Sequence, residues 1–246
     1  LIWHEPERVL AKTKLADLYP GWMLSSAASP KTFLLDLSNA EVLQWLIGWI
    51  QAEVDEIGYD LYRQDFNMDP LTYWLSKDNC TADPTTCNSG RLGFTESKYI
   101  EHEYAYLDAI ASMKNGQMVL GNCASGGRRL DIEMLRRMTV NSRSDNCMDP
   151  LSSQGYTYAL SLWMPRHGQS ATGDKSVLEP TMINTDNDYS FKSFMGTSMG
   201  FDYDWYTIIF CSVFKPPHYD SIIAFACFSS PKLVVWLCVP ANIGTM

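Results

Sequence analysis

The sequence predicts an α/β protein in which parallel strands alternate with helical crossovers. Short apolar runs at residues 1–3 and 117–120 alternate along the chain with segments whose apolar side chains recur at spacings of three and four. With 246 residues, the chain is long enough for one domain of α/β-barrel size or for two smaller domains. Ligand sites in parallel α/β folds lie at the carboxyl ends of the strands, so polar residues that follow a predicted strand are the candidates for function.

The first predicted strand, residues 1–3, runs into a polar segment that suits one rim of a barrel. Ser38 or Asn39 is a suitable N-cap for the first long helix, and Gly58 ends that helix. A β-prone strand starts at once and leads to Asp65. The buried face of the helix is predicted to consist of Val42, Leu43, Leu46, Ile47, Ile50, Val54 and Ile57.

A second helix and strand repeat this alternation. Thr95 is a candidate cap for a helix that ends at Gly116, and a strand at residues 117–120 follows. The paired glycines of segment 121–129 allow the backbone to approach a ligand closely, although the spacing of a dinucleotide fingerprint is absent. The remaining predicted elements are a helix around residues 130–138, a brief strand at 139–143 and a helix at 153–164.

The last part of the chain has a different character. A polar loop is predicted after Pro165, and residues 190–205 fit no element clearly. From residue 207 charged side chains are rare, and three apolar runs at 208–214, 222–228 and 233–239 are typical of short buried strands. These strands either complete a barrel or add a small sheet.

Charge and hydropathy exclude two classes of partner. The formal net charge of −9 argues against nucleic acid, whose phosphates require clustered Lys and Arg. No segment reaches the roughly 18 uninterrupted apolar residues that span a bilayer, so no membrane partner is expected.

The cysteines do not predict a metal site. The chain has seven cysteines and lacks CxxC spacing, which argues against a zinc site. His4, Glu5 and His102 share no spacing typical of metal ligands. Cys80 and Cys87 lie in one polar loop beside a glycosylation sequon at residues 79–81, which favours a secreted or lysosomal location over a cytoplasmic one without excluding the latter.

Asp65 is the strongest candidate for chemistry. It follows a predicted buried strand and is surrounded by donors on Arg63, Gln64 and Asn67, an arrangement that keeps a carboxylate ionised and suits a nucleophile. Asp145 is a second acid at a predicted strand end. Two such acids facing one cleft serve glycoside hydrolysis, in which one attacks the sugar and the other begins protonated, a state that burial and the charge of Asp65 would favour.

Other interpretations of these residues remain open at this point. Aspartates near strand ends also cap helices or bind backbone amides. Cys123 would need a histidine partner to act as a nucleophile, and Ser125 lacks the GxSxG elbow. Arg136 and Arg137 are typical of a solvated helix face.

Four motifs, at residues 3–9, 62–67, 122–129 and 143–145, occur together in an order and spacing that resemble family 36 glycoside hydrolases, the α-galactosidases of the melibiase type. The resemblance covers roughly residues 1–206. It implies a (β/α)8 barrel, a retaining double-displacement mechanism on terminal α-linked galactose, and no metal or organic cofactor. It further implies that Asp65 is the nucleophile and Asp145 the acid/base, and that the sugar pocket is lined by Trp3, Arg63, Asn67, Cys123, Gly126 and Arg143.

The chain departs from the family at both ends. It opens without methionine, and nothing before Leu1 matches the family's β-sandwich and earlier barrel strands. We therefore expect an incomplete (β/α)8 TIM barrel over residues 1–206 that lacks its first strands, with an unassigned, apolar and strand-like tail over 207–246 that does not resemble the family. Two alternatives follow: a truncated, catalytically inactive barrel fragment, and specificity for α-N-acetylgalactosaminides. A homo-oligomer is also compatible with the sequence.

Overall fold

A computed structural model describes residues 1–79, 90–145, 149–164, 168–172, 193, 198–204, 223–229 and 232–238. The chain divides into two compact units. The N-terminal unit comprises Trp3–Leu120, and the C-terminal unit comprises Leu1–Ile2 together with Gly121–Met246.

The N-terminal unit contains strands and helices in alternation. Strands β1 (Ile2–His4), β5 (Leu61–Gln64) and the first half of β6 (Val119–Asn122) lie side by side in that order. Asp65 N donates to His4 O at 2.8 Å, and Val119 N donates to Asp60 O at 2.9 Å. The elements between these strands are β2 (Arg8–Leu10), α1 (Lys14–Leu18), a 3-10 turn (Pro20–Trp22), β3 (Met23–Leu24), β4 (Thr32–Leu35), α2 (Ala40–Ile57), α3 (Leu71–Lys77) and α4 (Phe94–Gly116).

Helix α2 confirms the prediction from apolar spacing. Asn39 is its N-cap, with the side chain accepting from Glu41 N, and Gly58 closes it in the left-handed conformation at φ 77°. Only a residue without a Cβ adopts that angle at little cost, which is why the helix stops there. Val42, Leu43, Leu46, Ile50 and Val54 are buried, whereas Ile57, in the last turn, is 57% exposed.

A three-stranded antiparallel sheet, not anticipated from the sequence, fills the long loop between β1 and α2. Its strand order is β2-β4-β3, with Val9 opposite Phe33 and Leu24 opposite Leu34. Helix α3 is likewise absent from the elements that the sequence predicts. The antiparallel sheet depends on the pairing of β4 with β2 and β3, and local sequence does not encode such pairing.

Helix α4 begins two residues earlier than expected, after Gly93. Thr95 is therefore not its N-cap, as predicted, but a residue of its first turn. Thr95 N and Oγ1 both donate to the carboxylate of Asp78, which lies at the end of α3. The carboxylate of Asp78 thus accepts from a backbone N–H of the first helical turn, a role that a side chain at the N-cap often has.

The C-terminal unit continues the alternation with α5 (Ile132–Arg137), β7 (Val140–Asn141), α6 (Pro150–Ser161) and β8 (Gly168–Thr172). The second half of β6 pairs in parallel with β7, with Asn122 opposite Asn141. Beyond β7, Ser142 forms a parallel bridge to Gly168, the first residue of β8. The predicted α/β class is confirmed, and this succession of strand, helix and parallel strand is that of a partial (β/α)8 barrel.

Strand β8 belongs to a second sheet, together with β9 (Ser198–Asp204), β10 (Ile223–Ser229) and β11 (Lys232–Cys238). The strand order in this sheet is β10-β11-β9-β8. Two of the three predicted tail strands are therefore present and add a small sheet, while the one at 208–214 lies outside the described residues. The proposed domain boundary at residue 206 stays a prediction, as does any pairing of Cys80 with Cys87, which also lie outside the described residues.

Among the described residues, no helix is both long enough and apolar enough to cross a membrane.

Candidate active site

Asp65 lies immediately after β5 and is held by hydrogen bonds to its carboxylate. Phe66 N donates to Oδ1 at 2.8 Å, and the indole Nε1 of Trp3 donates to Oδ2 at 3.3 Å. The residue is 8% exposed. Both contacts favour the charged form of a carboxylate. The sequence predicted donors on Arg63, Gln64 and Asn67, but the side-chain amide of Gln64 donates to Glu7 and Glu103 instead, so the prediction is wrong for Gln64.

The pleat of β5 separates two sets of side chains. Arg63 and Asp65 lie on one face, and Tyr62 and Gln64 lie on the other. Tyr62 and Gln64 are buried, and the amide Nε2 of Gln64 donates to Glu7 Oε1 at 3.1 Å and to Glu103 Oε1 at 3.4 Å. The face opposite Asp65 is thus fixed by polar contacts within the protein.

Glu7 and Glu103 are buried acids that sequence reasoning missed. Glu7 is 0% exposed and Glu103 is 1% exposed. The hydroxyl of Tyr99 donates to Glu7 Oε2 at 2.7 Å. Glu7 belongs to a run that is polar throughout, so its burial depends on Tyr99 and Gln64, which come from α4 and β5.

Trp3 contacts Asp65 through its indole N–H, and Asn67 follows Asp65 by two residues in the chain. Trp3 is 51% exposed, so its ring stays accessible while its N–H is engaged. Asn67 is exposed, and its backbone N donates to Glu5 Oε1 at 2.7 Å. The sugar contacts predicted for Trp3, Arg63 and Asn67 stay predictions.

The histidines considered as metal ligands have other partners. His4 Nε2 lies 2.7 Å from Glu53 Oε2, and His102 Nδ1 lies 2.6 Å from the carbonyl oxygen of Leu37. No group of three His, Cys, Asp or Glu side chains arranged for a metal ion is found in the part of the chain that the structure describes.

Asp145, in the C-terminal unit, lies four residues after the last residue of the two-residue strand β7. Its Oδ1 is 4.0 Å from Cys123 Sγ. The sequence predicted that Asp145 would be buried, but the structure shows an exposed residue. The residues that follow it, 146–148, lie outside the described part of the chain.

The glycines of segment 121–129 pack against the backbone that carries Asp145. Gly126 has φ +84°, and a Cβ added to it would lie 2.4 Å from Asp145 N. A Cβ added to Gly127 would lie 2.5 Å from Arg143 O. The sequence predicted a close approach to a ligand; the structure shows a close approach to residues 143–145, which only glycine permits.

Arg143 is buried at 6% exposure and is fixed by contacts with α6 and β8. Its Nη2 donates to Ser153 Oγ at 2.9 Å, its backbone N donates to Gly168 O at 2.8 Å, and Ser153 Oγ donates to Ser193 O at 2.9 Å. Burial lowers the pKa of the Arg143 guanidinium to about 10, which leaves it charged at neutral pH. The predicted sugar contact of Arg143 stays a prediction.

Solved structures share this fold at low sequence identity. The α-galactosidase from Lactobacillus brevis is 18% identical with a TM-score of 0.66, over 87% of this chain and 27% of that one. AgaB, a GH36 α-galactosidase from Geobacillus stearothermophilus, is 22% identical with a TM-score of 0.66, over 83% of this chain and 27% of that one. The galactosidase domain of the α-galactosidase-sucrose kinase AgaSK is 22% identical with a TM-score of 0.63, over 100% of this chain and 36% of that one.

The chain therefore spans between about a quarter and about a third of these proteins. A search of curated protein sequences gave no match. The family model described as Melibiase matches residues 1–209, most of the length of the chain. With the fold and this match in agreement, the chain belongs to the melibiase family.

Proposed function

We propose that this chain carries the two catalytic acids of a retaining α-galactosidase, with Asp65 as nucleophile and Asp145 as acid/base. The observation that carries the proposal is the match to the melibiase family over residues 1–209, within which Asp65 follows β5 and Asp145 follows β7. Both acids thus follow strand ends, where barrel enzymes carry their catalytic groups.

In the first step, a carboxylate oxygen of Asp65 attacks the anomeric carbon of the galactosyl group. The bond between that carbon and the leaving oxygen breaks, and the leaving oxygen takes the proton of Asp145. In the second step, Asp145 removes a proton from water, the water oxygen bonds to the anomeric carbon, and the ester to Asp65 breaks. The sugar leaves with its α configuration, and both acids return to their starting states.

Each acid has support suited to its role. The Phe66 amide and the Trp3 indole donate to the carboxylate oxygens of Asp65, the group that attacks in the first step. The contact of Gly126 with the backbone at Asp145 fixes the position of the segment that carries the proton donor. Exposure of Asp145 suits a group that exchanges protons with water between the two steps.

The substrate class follows from the family and from solved relatives. Structures of AgaA from Geobacillus stearothermophilus are described in complex with raffinose and with stachyose, and these proteins are 24% and 22% identical to this chain. We propose the same class here, namely oligosaccharides or glycoconjugates that end in α-linked galactose.

Substitution of the nucleophile tests the proposal. Asp65→Asn is expected to lower kcat/KM for an aryl α-galactoside by at least about a thousandfold, because the amide cannot form the ester intermediate. Asp60→Asn makes the same change at the other end of β5, on a side chain that is 72% exposed, and is expected to act like wild type. Hydrolysis by Asp65→Asn within tenfold of wild type would refute the role of Asp65.

The stereochemistry of the product tests the mechanism. Retention requires the two carboxyl groups to be about 5 to 5.5 Å apart, whereas inversion requires about 6.5 to 9.5 Å. Proton NMR during hydrolysis is expected to show α-galactose as the first product. First appearance of β-galactose would contradict double displacement. A cooperatively folded chain without turnover would support the inactive-fragment alternative instead.

A further inference from the structure

His4 is clamped on the face of β1 opposite Trp3. Its ring stacks on Tyr62 at 5.5 Å between centroids and meets the edge of Trp49 at 5.3 Å. Its Nε2 lies 2.7 Å from Glu53 Oε2, and the His4 side chain is 14% exposed. The imidazole is therefore fixed by two aromatic contacts and one carboxylate.

Glu53 connects the two strands of the candidate site to one helix. It lies in α2, and the same Oε2 that meets His4 also accepts from the hydroxyl of Tyr59 at 3.0 Å. Tyr59 immediately precedes β5, and burial, with the adjacent charge of Glu53, raises the pKa of its hydroxyl, so it remains a donor. One carboxylate oxygen thus holds both β1 and the entry to β5 against α2.

Strand alternation carries this restraint to Asp65. Trp3 and His4 are consecutive in β1, so their side chains leave on opposite faces. The backbone oxygen of His4 accepts from Asp65 N at 2.8 Å, and the indole of Trp3 donates to Asp65 Oδ2 at 3.3 Å. The orientation of Trp3 is set by β1, whose other face is fixed by His4.

We propose that His4 and Glu53 are positioning residues that hold the Trp3 indole against the Asp65 carboxylate by anchoring β1 and β5 to α2. The catalytic consequence rests on the proposed function, whereas the positioning itself does not. Neither His4 nor Glu53 touches Asp65 through its side chain in the contacts described above; both act through the strand that carries Trp3.

Packing alone makes a different prediction. If His4 only fills space between Trp49 and Tyr62, then His4→Phe, which keeps a ring of similar size there, would leave the Trp3 indole unchanged. If Glu53 is only a polar group on the helix surface, its removal would act like removal of Glu56, an exposed residue one turn further along α2. The two interpretations therefore differ in one observable, the state of the Trp3 N–H.

The first measurement is the indole resonance of Trp3 in a ¹⁵N–¹H spectrum of the 246-residue chain, assigned by its loss in Trp3→Phe. Loss of a hydrogen bond to a charged group changes the equilibrium between the bonded and the open state by about ten- to hundredfold. His4→Phe and Glu53→Ala are expected to shift this resonance and to speed exchange of its proton with water by at least about tenfold. Glu53→Gln, which keeps an acceptor for His4, and Glu56→Ala are expected to resemble wild type.

The second measurement is hydrolysis of an aryl α-galactoside. His4→Phe and Glu53→Ala are expected to lower kcat/KM by about ten- to hundredfold while urea unfolding stays cooperative. Glu53→Gln, which keeps an acceptor for His4 and Tyr59, is expected to recover most of the activity that Glu53→Ala loses.

The outcomes separate the two proposals. An unchanged Trp3 resonance and exchange rate in folded His4→Phe overturns the positioning role, whatever happens to activity, as does an equal effect of Glu56→Ala. If the wild-type chain fails to hydrolyse galactosides, the proposed function fails, but the Trp3 resonance still decides the positioning role. If Glu53→Ala does not fold, His4→Phe alone decides it.

Discussion

Gly126 is the position at which one added methyl group should disable the candidate acid/base. Its φ of +84° lies in the region that residues with a Cβ rarely adopt. A Cβ built there would be 2.4 Å from Asp145 N and 3.0 Å from Asp145 Cγ. Ordinary van der Waals contact begins near 3.4 Å, so the segment at Asp145 would have to move by about 1 Å.

Two effects add in Gly126→Ala. The left-handed backbone costs about 1–2 kcal/mol for alanine. The clash costs a further ~1–3 kcal/mol if the site behaves like an overpacked core. We expect the free energy of unfolding to fall by about 2–5 kcal/mol. Because a 1 Å misplacement costs about a hundredfold in rate, kcat/KM is expected to fall by at least that factor.

Two matched substitutions separate these effects. Gly58 has φ +77° with no atom within 4 Å of an added Cβ, so Gly58→Ala reports the backbone cost alone. Gly155 lies inside α6, also with no atom within 4 Å, and Gly155→Ala is expected to stabilise the chain by about 0.5–1 kcal/mol.

Urea unfolding and hydrolysis of two substrates provide the assay. A displaced acid/base should harm raffinose, whose leaving group needs a proton, more than an activated aryl galactoside. If Gly126→Ala loses no more stability than Gly58→Ala, or keeps its kcat/KM for raffinose within threefold, then the glycine does not position Asp145.

The remaining predictions concern two buried contacts. The hydroxyls of Tyr62 and Tyr106 lie 2.6 Å apart. Tyr62→Phe, which strands the Tyr106 hydroxyl, is expected to cost about 1–3 kcal/mol in urea unfolding, and adding Tyr106→Phe should recover part of it. Burial raises the pKa of Tyr106 well above 10, so above about pH 10 the hydroxyl keeps its proton in the folded state and loses it in the unfolded chain. The free energy of unfolding should therefore fall as pH rises above about 10. This fall should be smaller in the double variant, which lacks both hydroxyls. Ser153→Ala, which removes an acceptor of buried Arg143, is expected to cost about 1.5–3 kcal/mol; no loss in Ser153→Ala would show that this contact does not stabilise the fold.

Local signals predicted several features correctly. Apolar spacing, Asn39 and Gly58 placed α2, because a helix cap and a left-handed glycine act within one turn. The short strand before Asp65 was also predicted, but its carboxylate accepts from the Phe66 amide and the Trp3 indole, while the predicted donor Gln64 binds Glu7 and Glu103 on the other face. These features depend on residues close in sequence or on strand pairing that the α/β pattern implies.

Features that depend on distant partners were missed. Thr95 was predicted to cap α4, but it lies inside the helix, and its backbone N–H donates to the carboxylate of Asp78 at the end of α3. The polar run of β8 has no apolar alternation, yet it pairs in parallel with β9, Gly168 opposite Ser198. In each case, the partner is separated by many residues, and only folding brings it near.

The sequence by itself determined the α/β class, the family motifs and the two candidate acids, because periodicity, caps and motif spacing are carried by neighbouring residues. Tertiary structure alone decided that Glu7 is buried, that Glu53 joins His4 to Tyr59, and that Gly126 meets the backbone of Asp145. Burial and contact are set by which elements pack together, and the same side chain is solvated or fixed according to what that packing places against it.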